Sequence, residues 1–261
     1  MKELTVIKIG GNIIDDEERL HGFLLRFAAV AGAKVLVHGG GKLATRLAGE
    51  LKIQQQLVDG RRITDAETLK VVTMVYAGWV NKSIVAGLQA LGCPAIGLSG
   101  ADGDAVRAQK RQASAIDYGF VGDVTAINAP FLHTLIEAGQ TLVLAPITHD
   151  GNGQLLNTNA DTIAQETATA LGALYSVRLV YSFEKAGVLR DADDDQSVIS
   201  EINPERYATL KADGIVSGGM LPKLDNAFRA LAAGVQEVII GQAEALPALL
   251  SGQSGTRIHH G

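Results

Sequence analysis

Two lysines, one aspartate and several clusters of glycine hold most of the chemistry this sequence offers. Lys8 stands inside Val6-Ile7-Lys8-Ile9, an apolar run of the kind that parallel sheets bury on both faces. An unpaired ammonium there is costly, so Lys8 either snorkels to water from an edge strand or meets an anion. Lys223 follows Ser217-Gly218-Gly219-Met220-Leu221-Pro222, which reads as a helix start with proline in its first turn. A cation at that end opposes the helix dipole unless an anion is present or water screens it. Together the lysines suggest two cations around a transferring phosphoryl group. Asp161, in Asn157-Thr158-Asn159-Ala160-Asp161, is by composition the first-turn acid of a helix capped by Asn159. Arg61 and Arg62 adjoin Gly60 in a polar segment. A guanidinium there either grips a carboxylate with two parallel hydrogen bonds or faces solvent.

Gly10-Gly11 and Gly39-Gly40-Gly41 each follow an apolar run and precede a helical one. In open parallel sheets, ligands bind beyond the carboxyl ends of the strands. Glycine lets backbone approach a ligand there, and helix N-termini offer free N–H groups. Two such clusters fit an anion spanning two strands, such as a polyphosphate beside a carboxylate. They fit plain βα turns equally well.

Familiar motifs are missing. Gly39-Gly40-Gly41-Lys42-Leu43 lacks the upstream glycine and following Ser/Thr of a P-loop. No G-x-G-x-x-G follows the first strand, no G-x-S-x-G is present, and no His/Cys spacing suits zinc. Asp150-Gly151-Asn152-Gly153-Gln154 lacks the sixth-position glycine and closing glutamate of a calcium loop.

The elements that must position these residues alternate. Leu4–Ile9 and Val35–Val37 read as buried strands, and 17–31 and 42–51 as helices. This rhythm implies right-handed crossovers and a parallel sheet. Residues 53–63 read as a loop or short hairpin, and 64–91 as a long helix capped by Thr64 with Glu67 three residues on. Tyr76 and Trp79 in its middle suit a dimer contact or the chain's own core. A strand at 95–98, a hairpin over 105–125, a helix from Pro130 to 138 and a strand over 141–147 follow. After a polar loop over 149–157 comes a helix over 159–171. Strands at 176–181 and 237–240 and helices at 204–212 and 220–233 complete the second half.

Composition bounds the class. The chain has 261 residues, 47% hydrophobic and 20% charged, so it buries a core rather than remaining disordered. The net charge of −5 argues against a general nucleic-acid binder. The single cysteine, Cys93, excludes an internal disulfide and points to a reducing cytoplasm. Its apolar surroundings suggest a buried thiol. No run approaches the roughly 18 uninterrupted apolar residues of a membrane span. Thirty glycines without a Gly-X-Y period exclude collagen and imply many tight turns.

With these residues in view, the chain resembles the N-acetylglutamate kinases of the amino acid kinase family over nearly its whole length. The resemblance rests on Lys8-Ile9-Gly10-Gly11-Asn12, Val37-His38-Gly39-Gly40-Gly41, Gly60-Arg61-Arg62-Ile63-Thr64, Asn157-Thr158-Asn159-Ala160-Asp161, Gly218-Gly219-Met220-Leu221-Pro222-Lys223 and Gly255-Thr256-Arg257-Ile258. It implies an α/β fold, an open αβα sandwich with a mainly parallel central sheet in two lobes. Residues 1–173 would bind acylglutamate and dimerise, and residues 174–261 would bind ATP. It further implies that ATP phosphorylates the side-chain carboxylate of an N-acylated glutamate in arginine biosynthesis. Lys8 and Lys223 would stabilise the transition state, and Asp161 would hold them. Gly40 and Gly41 would donate N–H groups to substrate and phosphoryl group, and Arg62 and Asn157 would bind the α-carboxylate. Gly10 and Gly11 would cradle ATP phosphates, the Ile215 region would lie near the adenine, and Mg²⁺ would come with the nucleotide.

One departure concerns the nucleotide side. The family carries small-Asp-Val-x-Gly after the strand opening the second lobe; this chain has Tyr181-Ser182-Phe183-Glu184-Lys185-Ala186-Gly187-Val188-Leu189, longer and without aspartate. The sequence also opens directly on the first strand. Arginine-inhibited relatives carry an additional N-terminal helix, so the resemblance implies a homodimer insensitive to arginine. The alternatives are a related kinase of glutamate, carbamate or UMP, and a non-catalytic amino-acid sensor on the same fold. The sensor would be expected to have lost Lys8, Lys223 or Asp161, and all three are present. The acyl group is left open between acetyl and succinyl, with Arg61 or Lys42 as the cation available to a second carboxylate.

Overall fold

The computed structural model describes residues 1–58, 61–113, 115–191, 193–216 and 220–261. Two loop segments discussed above, Asp59-Gly60 and Ser217-Gly218-Gly219, therefore lie outside the described residues. The chain runs β1 (Glu3–Ile9), α1 (Gly11–Ile14), α2 (Glu17–Ala28), β2 (Ala33–His38), α3 (Gly41–Glu50), and a hairpin of β3 (Gln56–Val58) and β4 (Arg61–Ile63). One continuous helix follows, made of α4 (Ala66–Thr73), a π-helical segment (Met74–Val80) and α5 (Asn81–Ala90). Next come β5 (Ala95–Leu98), β6 (Val106–Lys110), β7 (Gly122–Ile127), α6 (Ala129–Glu137), β8 (Thr141–Leu144), β9 (Ile147–His149), β10 (Leu155–Asn157) and α7 (Ala160–Leu171). The remainder is β11 (Ser176–Phe183), β12 (Glu201–Ile202), α8 (Pro204–Ala212), α9 (Met220–Ala232), β13 (Glu237–Gln242), α10 (Leu246–Leu250) and β14 (Thr256–Ile258).

Eight strands form the central sheet in the order β12-β14-β13-β11-β1-β2-β8-β5. Its pairings are parallel except β13 with β14. Strand β1 therefore lies inside the sheet, which removes the edge-strand explanation of Lys8. Alternation along the strands splits the core in two. Leu4, Val6, Val35, Val37, Leu179 and Tyr181 face α6, α7, α8 and α9, while Ile7, Ile9, Leu36 and Val180 face α2, α3, the long helix and α10. Each strand residue buried on one face or the other removes apolar surface from water at roughly 25 cal/mol per Å². A second, four-stranded sheet in the order β10-β9-β6-β7 carries the segment leading into α7.

Several boundaries differ from expectation, each for a local reason. The long helix is capped by Asp65, whose carboxylate accepts from Thr68 N at 2.7 Å, and not by Thr64. Thr64 instead lies fully buried, its backbone bonded to Tyr118 and Phe120. The apolar run over 141–147 breaks after Leu144, because Ile147 joins the second sheet. The polar loop over 149–157 contains β10, paired antiparallel with β9. By length and composition the continuous helix Ala66–Ala90 is apolar enough to cross a membrane, but its inner face lies in the core.

Candidate functional site

Parity along β1 sets the site. Lys8 shares a face with Leu4 and Val6, the face covered by α7, and its strand partners in register are Val37 and Tyr181. Asn159 caps α7, its side chain accepting from Asp161 N at 2.7 Å and Thr162 N at 3.2 Å. That cap fixes Asp161 in the first turn above the end of β1. The Lys8 Nζ lies 2.7 Å from Asp161 Oδ1, and Lys223 Nζ lies 3.3 Å from Oδ2. One carboxylate thus holds two ammonium groups brought from opposite halves of the chain. Their side chains are only 16%, 15% and 24% exposed, yet none is sealed off, so an anion can still reach them.

The electrostatics follow from this count. Burial alone pushes the Asp161 carboxyl up, but Lys8 and then Lys223 outweigh it and hold the group below the usual carboxylate range. Asp161 is ionised at neutral pH, and two lysine charges against one aspartate leave an excess positive charge. Lys223 also stands over the Tyr181 ring, 5.5 Å from its centroid, and the Tyr181 hydroxyl donates to Asp161 O at 3.4 Å. Burial, with Asp161 nearby, pushes that phenol far up, so it stays a neutral donor. Sequence reasoning missed Tyr181. Its signal was its place one strand away from Lys8.

Both glycine turns arrive at the same edge. Ile9 pairs with His38, so Gly10 and Gly39 leave adjacent parallel strands side by side. Gly10 leads into α1, a short helix that sequence reading did not anticipate. A methyl group on Gly10 would lie 3.9 Å from Ser182 O, which sets this turn against the end of β11. Ser182 is buried, and its hydroxyl has no hydrogen-bond partner among the described residues. Gly40 opens α3 with φ +147°, and a Cβ there would come within 3.0 Å of the Tyr76 ring. Lys42, two residues on, donates to Asn12 and so ties α3 to α1.

Arg62 and Asn157 meet through Thr64. The Asn157 amide donates to Thr64 Oγ1 at 3.0 Å, and that hydroxyl donates to Arg62 O at 3.2 Å. Arg62 is 9% exposed, and its guanidinium turns toward the glycine turn, donating to Gly41 O and Thr45 Oγ1, both at 2.9 Å, and to Gln55. Half-buried Ile215 packs against the core at the end of α8. The atypical segment after β11 folds onto β14. Thr256 Oγ1 accepts from Val188 N at 2.8 Å, and Lys185 pairs with Asp195 at 3.0 Å. Among the described residues no group of three His, Cys, Asp or Glu side chains is arranged to hold a metal ion.

This site carries a carboxylate-braced pair of lysines beside two glycine turns at the carboxyl edge of a parallel sheet. The model of the amino acid kinase family matches residues 3–242. The chain belongs to the amino acid kinase family. It is 60% identical over 247 residues to the acetylglutamate kinase of Phocaeicola vulgatus, covering 94% of this chain and 96% of that one. It is 57% identical over 259 residues to the acetylglutamate kinase of Bacteroides fragilis, covering 99% and 98%. Among solved structures, N-acetylglutamate synthase from Neisseria gonorrhoeae complexed with coenzyme A and N-acetyl-glutamate superposes with a TM-score of 0.83 at 20% identity. That match spans all of this chain and 60% of the synthase, and it bears on the fold alone. The open α/β architecture with its mostly parallel sheet is that of this kinase family.

Proposed function

We propose that this member of the amino acid kinase family transfers the γ-phosphoryl group of ATP to the side-chain carboxylate of N-acetylglutamate, giving an acyl phosphate for arginine biosynthesis. The observation that carries the reading is the single Asp161 carboxylate bracing Lys8 and Lys223 at the sheet edge. The acetylglutamate kinases that match nearly end to end support the same assignment.

The acceptor explains what the site lacks. A glutamate carboxylate has a reference pKa of about 4.3 and is already ionised at neutral pH. It needs no general base. A carboxylate oxygen attacks the γ-phosphorus in line, the bond from that phosphorus to the bridging oxygen breaks, and ADP leaves with the electron pair. Catalysis is then positioning together with neutralisation of charge on the phosphoryl oxygens. Lys8 and Lys223 supply that charge, and Asp161 keeps both ammonium groups from drifting apart. Gly40 and Gly41 direct backbone N–H groups at the reacting oxygens. Arg62 and Asn157, linked through Thr64, face the α-carboxylate. The Gly10-Gly11 turn, beside a Ser182 hydroxyl that has no partner among the described residues, suits the ATP phosphates. The adenine lies toward Ile215. Mg²⁺ travelling with the nucleotide would supply further charge neutralisation for the phosphates.

The finer organisation belongs to the same reading. Residues 1–173 bind the acylated amino acid and residues 174–261 the nucleotide. The exposed Met74 and Trp79 support a homodimer contact, and one buried cysteine is in keeping with a cytoplasmic home.

A coupled ADP-release assay tests the assignment with N-acetylglutamate, N-succinylglutamate, glutamate, carbamate and UMP as acceptors. Turnover is expected on N-acetylglutamate and not on glutamate, carbamate or UMP. The ratio of the two acylglutamates decides the acyl group. Preference for a free amino acid, carbamate or nucleotide would overturn the reading.

A further inference from the structure

His38 is fully buried at the last position of β2, where the strand hands over to Gly39-Gly40-Gly41. Its Nδ1 lies 2.8 Å from Gly39 O, and its Nε2 lies 3.1 Å from Asn81 Nδ2. Asn81, also fully buried, directly follows the π-helical segment. The surrounding groups fix every proton in this chain of contacts. Asn81 Nδ2 also donates to Val143 O at 2.9 Å, so the amide's two hydrogens serve Val143 and His38. Asn81 Oδ1 accepts from Lys82 Nζ at 3.0 Å, and that ammonium donates in turn to Gly97 O at 2.9 Å. Turning the amide over would set its NH₂ against the Lys82 ammonium and its oxygen against Val143 O. His38 Nε2 must therefore accept, and the ring proton must sit on Nδ1.

That proton has one use. A trans peptide points its carbonyl and its N–H in opposite directions. Drawing Gly39 O toward His38 therefore turns Gly40 N–H away from the buried ring. Among the described residues Gly40 N–H has no backbone partner. Tyr76 and Val80, from the same π-helical segment, close on Gly40 from the other side, where a Cβ would lie 3.0–3.4 Å from them.

We propose that His38 and Asn81 are positioning residues for phosphoryl transfer: they lock the Gly39–Gly40 peptide so that Gly40 N–H faces the reacting group. This rests on the kinase reading above and adds to it the device that aims the donor. It also gives the π-helical segment a purpose, since widened turns of this kind recur at functional sites.

The test begins with the unmodified protein. Two-bond ¹H–¹⁵N spectra of its histidine rings are expected to show His38 with the proton on Nδ1, and a proton on Nε2 would overturn the proposal. Steady-state kinetics follow. His38→Leu is expected to lower kcat by about a hundredfold, as loss of one aimed backbone donor does, with each KM moving less than about threefold. His38→Asn places an amide donor near the former Nδ1 and is expected to recover kcat to within about tenfold of wild type. Asn81→Leu is expected to lower kcat in the same direction and to lose the Nδ1–H ring pattern. Should His38→Leu fail to fold, His38→Asn and the ring spectrum carry the decision. A wild-type chain that phosphorylates no acylglutamate overturns the kinase reading and this inference with it. Wild-type turnover with unchanged kcat in His38→Leu overturns this inference alone.

Discussion

At the scale of single residues, charge and burial make sharp demands. Lys8 was legible as an anomaly because an ammonium inside Val6-Ile7-Lys8-Ile9 needs a partner, and Asp161 at 2.7 Å is that partner. Asp161 itself looked like an ordinary helix-start acid. Its double pairing depends on β1 and α9 converging on one carboxylate, which no local pattern reveals. Lys8→Arg keeps the charge but spreads it over a planar fork. It is expected to cut kcat by about a hundredfold or more while urea melts stay within about 1 kcal/mol of wild type. Near-normal turnover would remove Lys8 from the mechanism. Asp161→Asn leaves two ammonium groups facing each other without their counter-ion. Both kcat and stability should fall, the latter by about 3–5 kcal/mol. His38 makes a pH prediction. Burial holds its folded pKa down at about 4, against an ordinary value near 6.5. Between those values the unfolded chain binds more protons, so stability is complete above about pH 6.5 and declines as pH falls toward 4. The full loss amounts to about 3 kcal/mol. Urea melts at pH 7 and pH 5 should show His38→Asn losing less stability between the two than wild type does. An equal loss in both would show that the imidazole does not titrate in that window.

At the scale of elements, strands and short helices were readable because their periods are short and their ends are marked. Strand β1 stops at glycine, α7 begins at Asn159, and α6 begins just before Pro130, capped by Asn128. The short β12, β14 and α10 escaped notice because two to five residues carry too little period to see. The π-helical segment left a trace that was not recognised. Val72, Tyr76, Val80, Ile84 and Leu88 are all buried at intervals of four. On an α-helix such a row drifts by about 40° per step. Widening the middle turns to i→i+5 bonding takes up part of that drift. It also delivers Asn81 to His38. The cost of the arrangement falls on Gly97, where a Cβ would sit 2.0 Å from Asn81 Oδ1 and 2.9 Å from Lys82 Nζ. Gly97→Ala should therefore displace the amide, destabilise the fold by about 1–3 kcal/mol, and lower kcat along with it. The check is urea denaturation beside steady-state kinetics. Loss of stability with full turnover would separate Asn81 packing from the site.

At the scale of the whole molecule, the long helix has two faces with different tasks. Its inner face closes the core and, through Tyr76 and Val80, packs against Gly40. Its outer face leaves Trp79 72% and Met74 51% exposed. Beside them Leu43, Leu47 and Val75 line a shallow cavity of about 340 Å³, with Arg46 and Glu50 at its rim. A large aromatic beside an apolar hollow is the kind of anchor and socket that buried interface centres use. Two copies related by a two-fold axis present the same patch to each other, and each patch then supplies both anchor and socket. Arg46 and Glu50 give that rim one charge of each sign, so a second copy can meet it without like charges opposed throughout. A homodimer through this face predicts that Trp79→Asp sediments as a monomer at micromolar concentration where wild type sediments as a dimer. Thermal stability of the isolated chain should change little, because Trp79 contributes little to its own core. Turnover per chain should fall as well, since the dimer seam and the segment pressing on Gly40 are two sides of one π-helical turn. A wild-type monomer, or a Trp79→Asp variant that remains a dimer, would place the contact elsewhere and leave the glycine turn held by this chain alone.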